Sequence, residues 1–353
     1  MPSNHITRFL LFSSILCQSA SLYAEVQISG FASFIAGKVI NGSEFLADYP
    51  KTGIYDKDLS FSPDTSIGVQ LTSDITEDFS LTLQLVNNGA DEYQTKSTWA
   101  YLNYQYSPQI SIQAGRKRLP LYYYSDTFDL GYAYHWIRPP ADNYTWQIAH
   151  YNGISIIFEP RTTSVDSLFN LYFGREDSSN NELLGMFAGA PVNETWKNIA
   201  GFVGEFSKDW FEIRLTYMRS LLDREINNTQ TDHNVRQHFQ GVSINLYYDH
   251  LSFLSEFNAY ERPQADIRVV TNMQSIGYTL KRITPHITRS ELKQSQNSNG
   301  GDEHHSTNSF GIRWDYRDNI AIKIQYDKTI DKGINIPIRG NSELISFGAD
   351  IIF

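Results

Sequence analysis

Apolar residues recur at every second position in segment after segment of this chain. Phe79, Leu81, Leu83 and Leu85 alternate with Ser80, Thr82 and Gln84; Phe211, Ile213, Leu215 and Tyr217 alternate with Glu212, Arg214 and Thr216. Val242, Ile244, Leu246 and Tyr248, Phe310, Ile312, Trp314 and Tyr316, and Ile320, Ile322, Ile324 and Tyr326 repeat the pattern. On a strand this places one apolar face against one polar face, whereas a helix would scatter the same residues around its whole circumference. Reading every such segment predicts about sixteen strands, near 26–38, 65–73, 78–87, 97–106, 109–115, 147–158, 167–175, 198–206, 210–219, 237–248, 251–261, 269–280, 283–292, 308–316, 319–328 and 343–353.

The connectors carry a second signal. Short polar turns at 73–77, 107–108, 159–166, 207–209, 249–250, 281–282 and 317–318 alternate with longer segments at 39–64, 88–96, 116–146, 176–197, 220–236, 262–268, 293–307 and 329–342. A soluble sandwich has no reason to alternate in this way. A transmembrane, antiparallel, up-and-down β-barrel does, because one rim carries short periplasmic turns and the other long extracellular loops. Hydrocarbon offers no hydrogen bonds to free backbone groups, so such a sheet must close, with 343–353 paired to 26–38. No stretch approaches the roughly 18 apolar residues of a membrane helix, which excludes a helical bundle and leaves a barrel untouched.

Residues 1–24 read as a cleaved secretory leader: Arg8, an apolar run from Phe9 to Cys17, then small and polar residues to Ala24. Residues 25–353 then form one barrel. Leu16 before Cys17 argues against lipidation, and cleavage removes the single thiol, so disulfides and cysteine metal sites are excluded. The formal charge of -10 argues against a nucleic-acid partner. No cofactor and no metal are expected. Asp302, Glu303, His304 and His305 offer ligand chemistry, but the neighbouring asparagines and glycines at 297–301 favour a solvated, flexible loop.

The chain ends ISFGADIIF, with Ile345, Phe347, Ala349, Ile351 and Phe353 alternating. This resembles the assembly signal of bacterial outer-membrane barrels, with Phe353, Ile351 and Phe347 as its matching positions. The segment GRKRLPLYYYSDTFDLGYAYHWIRPP and the layout of the whole mature chain are similar to Gram-negative outer-membrane porins. The resemblance implies a water-filled channel for passive diffusion of small hydrophilic solutes and ions. It implies the loop 116–146, after the fifth strand, as a pore-constriction loop. It also implies a bacterial outer-membrane location, contact with outer-membrane lipid and lipopolysaccharide, insertion by the barrel-assembly machinery, and a homotrimer. Small residues on the outer face of the first strand, Ala32 and Ala36, fit a tight contact between copies.

Candidate constriction residues are Arg116, Lys117, Arg118, Asp126, Asp129 and Arg138, a mixed set where general-diffusion porins often have an acidic loop. Arg116 and Arg118 share the parity of outward Ile110, Ile112 and Ala114, so an inward position requires a bulge or twist at Gly115. Parity assigns Glu212, Arg214, Asn245, Glu256, Arg313, Asp315, Lys323, Asp327 and Asp350 to the lumen wall, since Arg or Lys facing lipid at mid-depth costs about 2–4 kcal/mol. The bland reading of these residues is solvation of the channel. The tyrosines 122–124 with Tyr132, Tyr134 and Trp136 suit either stacking on sugars or packing of the loop on the wall, and packing is preferred. A different class of protein, a barrel enzyme with a protease or lipase site, needs a nucleophile with a base. Only Ser125 with Asp126 suggests one, and His135, His150, His233, His238 and His286 are scattered; a non-conducting structural barrel is the remaining alternative.

Overall fold

The computed structural model describes residues 26–48, 51–161, 164–296, 302–334 and 340–353. The expected leader and the glycine- and asparagine-rich stretch 297–301 lie outside the described residues. The strands are β1 (Val26–Asn41), β2 (Phe45–Asp48), β3 (Gly53–Tyr55), β4 (Ser66–Asp74), β5 (Phe79–Asn88), β6 (Thr95–Ser107), β7 (Ile110–Arg118), β8 (His150–Phe158) and β9 (Asp166–Ser178). One short helix, α1 (Glu182–Ala188), precedes β10 (Val192–Lys208), β11 (Phe211–Ile226), β12 (Thr229–Tyr248), β13 (Leu251–Arg262), β14 (Ile267–Tyr278), β15 (Ile283–Gln296), β16 (His304–Arg317), β17 (Ile320–Asp331) and β18 (Ser342–Ile352). Among the described residues, β1 and β4 through β18 form one closed barrel of sixteen antiparallel strands, and β2 and β3 form a separate hairpin. All sixteen expected strands are present.

Closure is made where hydrocarbon demands it. β1 pairs with β18 from Phe31 opposite Ile352 to Asn41 opposite Glu343. Beyond that ladder, Gly30 and Phe353 exchange backbone hydrogen bonds of 2.8 and 2.9 Å. The Phe353 ring lies over Gly30, where any Cβ would overlap it. Phe347 and Phe353 are exposed on the outer face and Ile351 is half-buried there.

Over most of its height the outer surface is apolar at alternate positions. Ile67 and Val69, Leu81 and Leu85, Ile154 and Ile156, Leu171 and Phe173, Phe310 and Ile312, and Ile322 and Ile324 are all exposed. Near the short-turn rim the exposed residues become aromatic, with Tyr106, Trp210, Tyr248, Tyr278, Tyr316 and Phe353. An apolar band edged by an aromatic girdle is the surface a bilayer requires. Ala32 and Ala36 also face outward and lie low between larger neighbours, Ala36 at 1% exposure.

Three segments depart from expectation. The long loop expected at 220–236 is mostly strand: β11 and β12 continue to a two-residue turn at Asn227 and Asn228, with φ of 51° and 60°. Two left-handed residues in succession suit the type I′ hairpin, and asparagine tolerates that region best after glycine. Residues 116–118 belong to β7 rather than to the following loop, because their backbone still pairs with β6 or β8. His304 and His305 open β16 instead of lying in a solvated loop, and His305 is fully buried.

The hairpin is testable. Asn228→Val should cost about 1–2 kcal/mol through its left-handed backbone, while Asn228→Gly should be neutral within a few tenths. Urea unfolding of the barrel in lipid vesicles, followed by tryptophan fluorescence, would show the difference; equal midpoints would contradict the turn.

Candidate functional site inside the barrel

After β7 the chain turns inward, and residues 119–149 cross the interior before β8 resumes the wall. The moorings are spread over the far side. The Tyr123 amide donates to Glu256 (3.1 Å) and its hydroxyl to Glu212 (2.9 Å). The Trp136 indole donates to Thr288 (2.7 Å), and the Ile137 amide to Gln325 (2.9 Å). Wall cations take the loop's carbonyls: Lys323 Nζ donates to the oxygens of Gly131 (2.7 Å) and Trp136 (2.6 Å), and Arg313 to those of Tyr132 and Tyr134 (2.7 and 2.8 Å). Arg214 reaches the carbonyl of Pro120 (3.0 Å) and also Glu205.

The residues assigned to the wall by parity therefore all face inward, and Glu256, Arg214, Lys323, Asp327, Asp350 and Asn245 are buried. Asn245 apart, they hold the loop or one another rather than standing free in water. Lys323 also pairs with Asp350 (2.7 Å), and Arg313 with Asp315 (2.8 Å). Such charges persist in a dry setting because each is ion-paired or, as with Glu256, surrounded by hydrogen-bond donors.

Arg138 is the densest node. It bridges Asp64 (2.6 Å) and Asp327 (2.7 Å) and donates to Ser346 (2.6 Å). Phe45 and Tyr55 of the β2–β3 hairpin lie beneath the same guanidinium, with ring centroids at 5.7 and 5.5 Å. The segment after β1 thus folds over the mouth and clamps the internal loop. Lys51, from that segment, reaches Asp129 at 3.5 Å, and Arg118 pairs with the same carboxylate. Burial works to raise the Asp129 carboxyl; Arg118 and then Lys51 outweigh it and bring it down to about 2.

The loop and one side of the wall share an apolar core. Tyr122, Tyr134, Trp136, Tyr144 and Trp146 pack against inward Trp196, Val203, Met218, Leu222, Phe239 and Met273. Trp136 has no exposed surface. Packing, not an exposed stacking slide, is what the aromatic cluster does. Sequence parity missed this inner apolar surface, although a signal exists: around Met218–Leu222 and Ile199–Val203 the alternation blurs, as it does in strands covered on both faces.

The other side differs. Gln70, Thr72, Gln84, Asn103, Ser111 and Gln113 face inward on β4–β7 and are half-exposed, so solvent reaches the interior along this arc. Asp126, on the loop, is exposed and lies near enough to act electrostatically on Tyr101, Lys117 and Tyr151 of the wall. Lys117 donates to Gln113 and sits over the Tyr101 ring at 5.4 Å; among the described residues no carboxylate pairs with it directly. Arg116 is held in a two-pronged contact by Glu176 (2.8 and 3.0 Å), a partner that only its inward parity in β9 foreshadowed. Arg116, Arg118, Glu176, Lys51 and Lys96 border a cavity of about 280 Å³ toward the long-loop rim.

Gly115 makes this placement possible. No register shift occurs there, so the expected bulge is absent, but its φ of 143° supplies the twist, and a Cβ would collide with the carbonyl of Ala100. Ser125 accepts from the Tyr122 amide within a tight turn and has no histidine beside it. His135 and His286, far apart in sequence, do meet, with ring centroids at 4.5 Å, and His135 bonds Ser275. His305 bonds Asp142 at 2.5 Å, which also accepts from Ser290.

A closed sixteen-strand barrel with a loop folded into its interior is the porin-like architecture. No protein-family profile matches the chain, and no curated protein does. Solved structures do. OmpF of Salmonella typhi, in complex with daunomycin, aligns over 94% of this chain and 98% of its own, with a TM-score of 0.64 and 12% identity. The outer membrane channel DcaP of Acinetobacter baumannii aligns over 94% and 97%, at 0.62 and 9%. The anion-selective porin from Comamonas acidovorans aligns over 94% and 100%, at 0.58 and 9%. At these identities the likeness is one of fold.

Two outcomes are expected of the moorings. Arg138→Met strands two buried carboxylates and should lower stability by about 3–5 kcal/mol, read as a fall in the thermal midpoint of the detergent-solubilised barrel. The depressed Asp129 carboxyl stabilises the fold fully above its unfolded value of about 3.9, and that contribution disappears as pH falls through about 2. The stability gap between wild type and Asp129→Asn should therefore be constant from pH 7 to 5 and shrink between pH 4 and 2. A gap independent of pH would remove Asp129 from the clamp.

Proposed function

We propose that the chain forms a passive, water-filled channel in the bacterial outer membrane for small hydrophilic solutes and ions, and that it performs no chemical step. The observation that carries this reading is the lopsided interior: one arc of wall is sealed to the loop by an apolar core, while inward polar side chains on β4–β7 keep contact with solvent. Passage runs along that arc, with residues 119–149 as the constriction.

Arg116, Arg118, Asp129 and Arg138 belong to the constriction region but are neutralised by Glu176, Asp129 with Lys51, and Asp64 with Asp327. The field across the opening then falls chiefly to Lys117 on the wall and Asp126 on the loop, and charges lining a narrow aqueous gap set ion preference. On this reading the chain is a homotrimer, with lipid, lipopolysaccharide and the barrel-assembly machinery as further partners and residues 1–24 as an export leader.

Purified protein in planar bilayers should give ohmic conductance. A unit charge about 7 Å from the ion path in water is worth about 0.6 kcal/mol, opposite in sign for cation and anion, and roughly half that after screening at physiological salt, so Lys117→Ala should shift the permeability ratio about two- to threefold toward cations. Asp126→Asn should shift it similarly toward anions. Reversal potentials in a salt gradient read both; unchanged values in both variants would move the path elsewhere. Absence of any conductance, together with hydrolysis of a lipid or peptide substrate, would favour a barrel enzyme.

A further inference from the structure

One cavity has a lining that takes no part in the field between Lys117 and Asp126. It is bordered by the start of β6, the end of β7, the start of β8 and the end of β9, all at the long-loop end of the barrel. Its volume of about 280 Å³ lies near the lower end of the range for ligand pockets, about 300 Å³. Its occupant is therefore a small solute rather than a chain.

The lining is rich in charge and almost balanced. Lys96 pairs with Asp91 (2.7 Å), Arg116 with Glu176 (2.8 Å) and Lys51 with Asp48 (3.4 Å); Arg118 is taken by Asp129, and Asp177 by Arg175 (2.9 Å). Among the charged residues of the lining, only Glu182 lacks a cationic partner within the described residues, and it accepts from Thr52 (3.1 Å). An anion entering here has to break a pair and face Glu182. Paired groups still have hydrogen bonds to give. Arg116 commits three of its five N–H groups, to Ser97 and Glu176, and its side chain keeps contact with solvent. The Gln147 side-chain oxygen is taken by Arg262, while its amide nitrogen has no partner among the described residues.

His150 adds an independent observation. It lines the cavity, its Nε2 is buried, and no group among the described residues bonds to that nitrogen. A buried polar atom of this kind points to a hydrogen-bonding ligand. A hydroxyl suits either tautomer of the ring, because it can donate or accept. Spare N–H groups, carboxylate oxygens with open lone pairs and one imidazole nitrogen, set in nearly balanced charge, complement a small ring that carries several hydroxyls.

We infer that this cavity is a subsite for a neutral, polyhydroxylated solute of monosaccharide size, held by hydrogen bonds at the long-loop end of the polar arc. The inference rests on the channel reading, which gives a solute at the mouth somewhere to go; the binding itself is read without any current.

The test titrates the full purified barrel, in a detergent without sugar head groups, with glucose and follows saturation-transfer NMR; conductance of the same sample is measured in planar bilayers. Wild type should bind glucose saturably. Glucuronate has the same ring but brings an anion toward Glu182, and should bind about threefold or more weakly. Tetraethylene glycol is neutral and of similar mass, with hydroxyls only at its ends. It should bind at least about fivefold more weakly, the worth of one hydrogen bond. His150→Phe should weaken glucose binding about fivefold, whereas His150→Gln, which keeps a polar nitrogen, should stay close to wild type. Equal binding of glucose and tetraethylene glycol by a conducting wild type would overturn the subsite and leave the channel. So would tighter binding of glucuronate than of glucose, which would make the cavity an anion site, or undiminished glucose binding by folded His150→Phe. Saturable glucose binding by a barrel that passes no current would uphold the site and remove the channel instead.

Discussion

A backbone immersed in hydrocarbon has nowhere to place a free N–H or C=O. Everything else in this structure follows from the solution to that problem, a ladder with no first and last strand. Among the described strands of the barrel, the junction of β1 and β18 is where the two ends of the chain must meet, and it is finished with care: the ladder runs to Ile352, and Gly30 and Phe353 add a reciprocal pair beyond it. Glycine is needed at residue 30 because the terminal ring occupies the space of its side chain. Closure also decides the chemistry of the two faces. Once the wall is continuous, each strand residue looks either at lipid or at the interior, and alternation becomes obligatory wherever those two environments differ.

The interior is not uniformly wet. A barrel of this size encloses more volume than its wall side chains can fill, and the chain inserts its own residues 119–149. Entering that space removes water from Glu256, Lys323, Asp327 and Asp350, so their charges need replacement partners. The loop supplies backbone carbonyls to Lys323 and Arg313, amides to Glu256, and the Arg138 guanidinium to Asp327. This arrangement is costly to break on one side only, which makes the loop a fixture rather than a flap. The hydrogen-bonded charges fix its position, and the aromatic core around Trp136 supplies the buried area.

The wall was legible in the sequence because its physics is local. Period 2 reports two environments, and short turns such as Asp209 and Asp249, with φ of 50° and 53°, advertise themselves by residue type. The same logic could have found the β11–β12 hairpin, since Asn227-Asn228 between alternating runs is a turn signal. The site was less legible, for a different reason. Parity places Arg116 and Glu176 on strands separated by β8, but nothing local says that they meet, and Asp64 reaches Arg138 only because another loop folds over the mouth. Inward Met218 and Phe239 contradict a simple wet-inside rule, since their neighbour is the loop and not water.

The two faces therefore break the alternating rule in opposite directions, each where the environment changes. Inside, β10 to β15 turn apolar where the loop covers them. Outside, β11 and β12 turn basic toward the long-loop rim, at Arg219 and Arg236. Both exceptions lie on the same arc of wall, away from β4–β7, whose inner face is polar and half-exposed. An arc whose inner face is packed against the loop leaves no aqueous gap there. The opposite arc keeps the plain pattern of polar, half-exposed residues inside and apolar residues outside. The departures from alternation thus mark where a strand residue meets neither open water inside nor plain hydrocarbon outside.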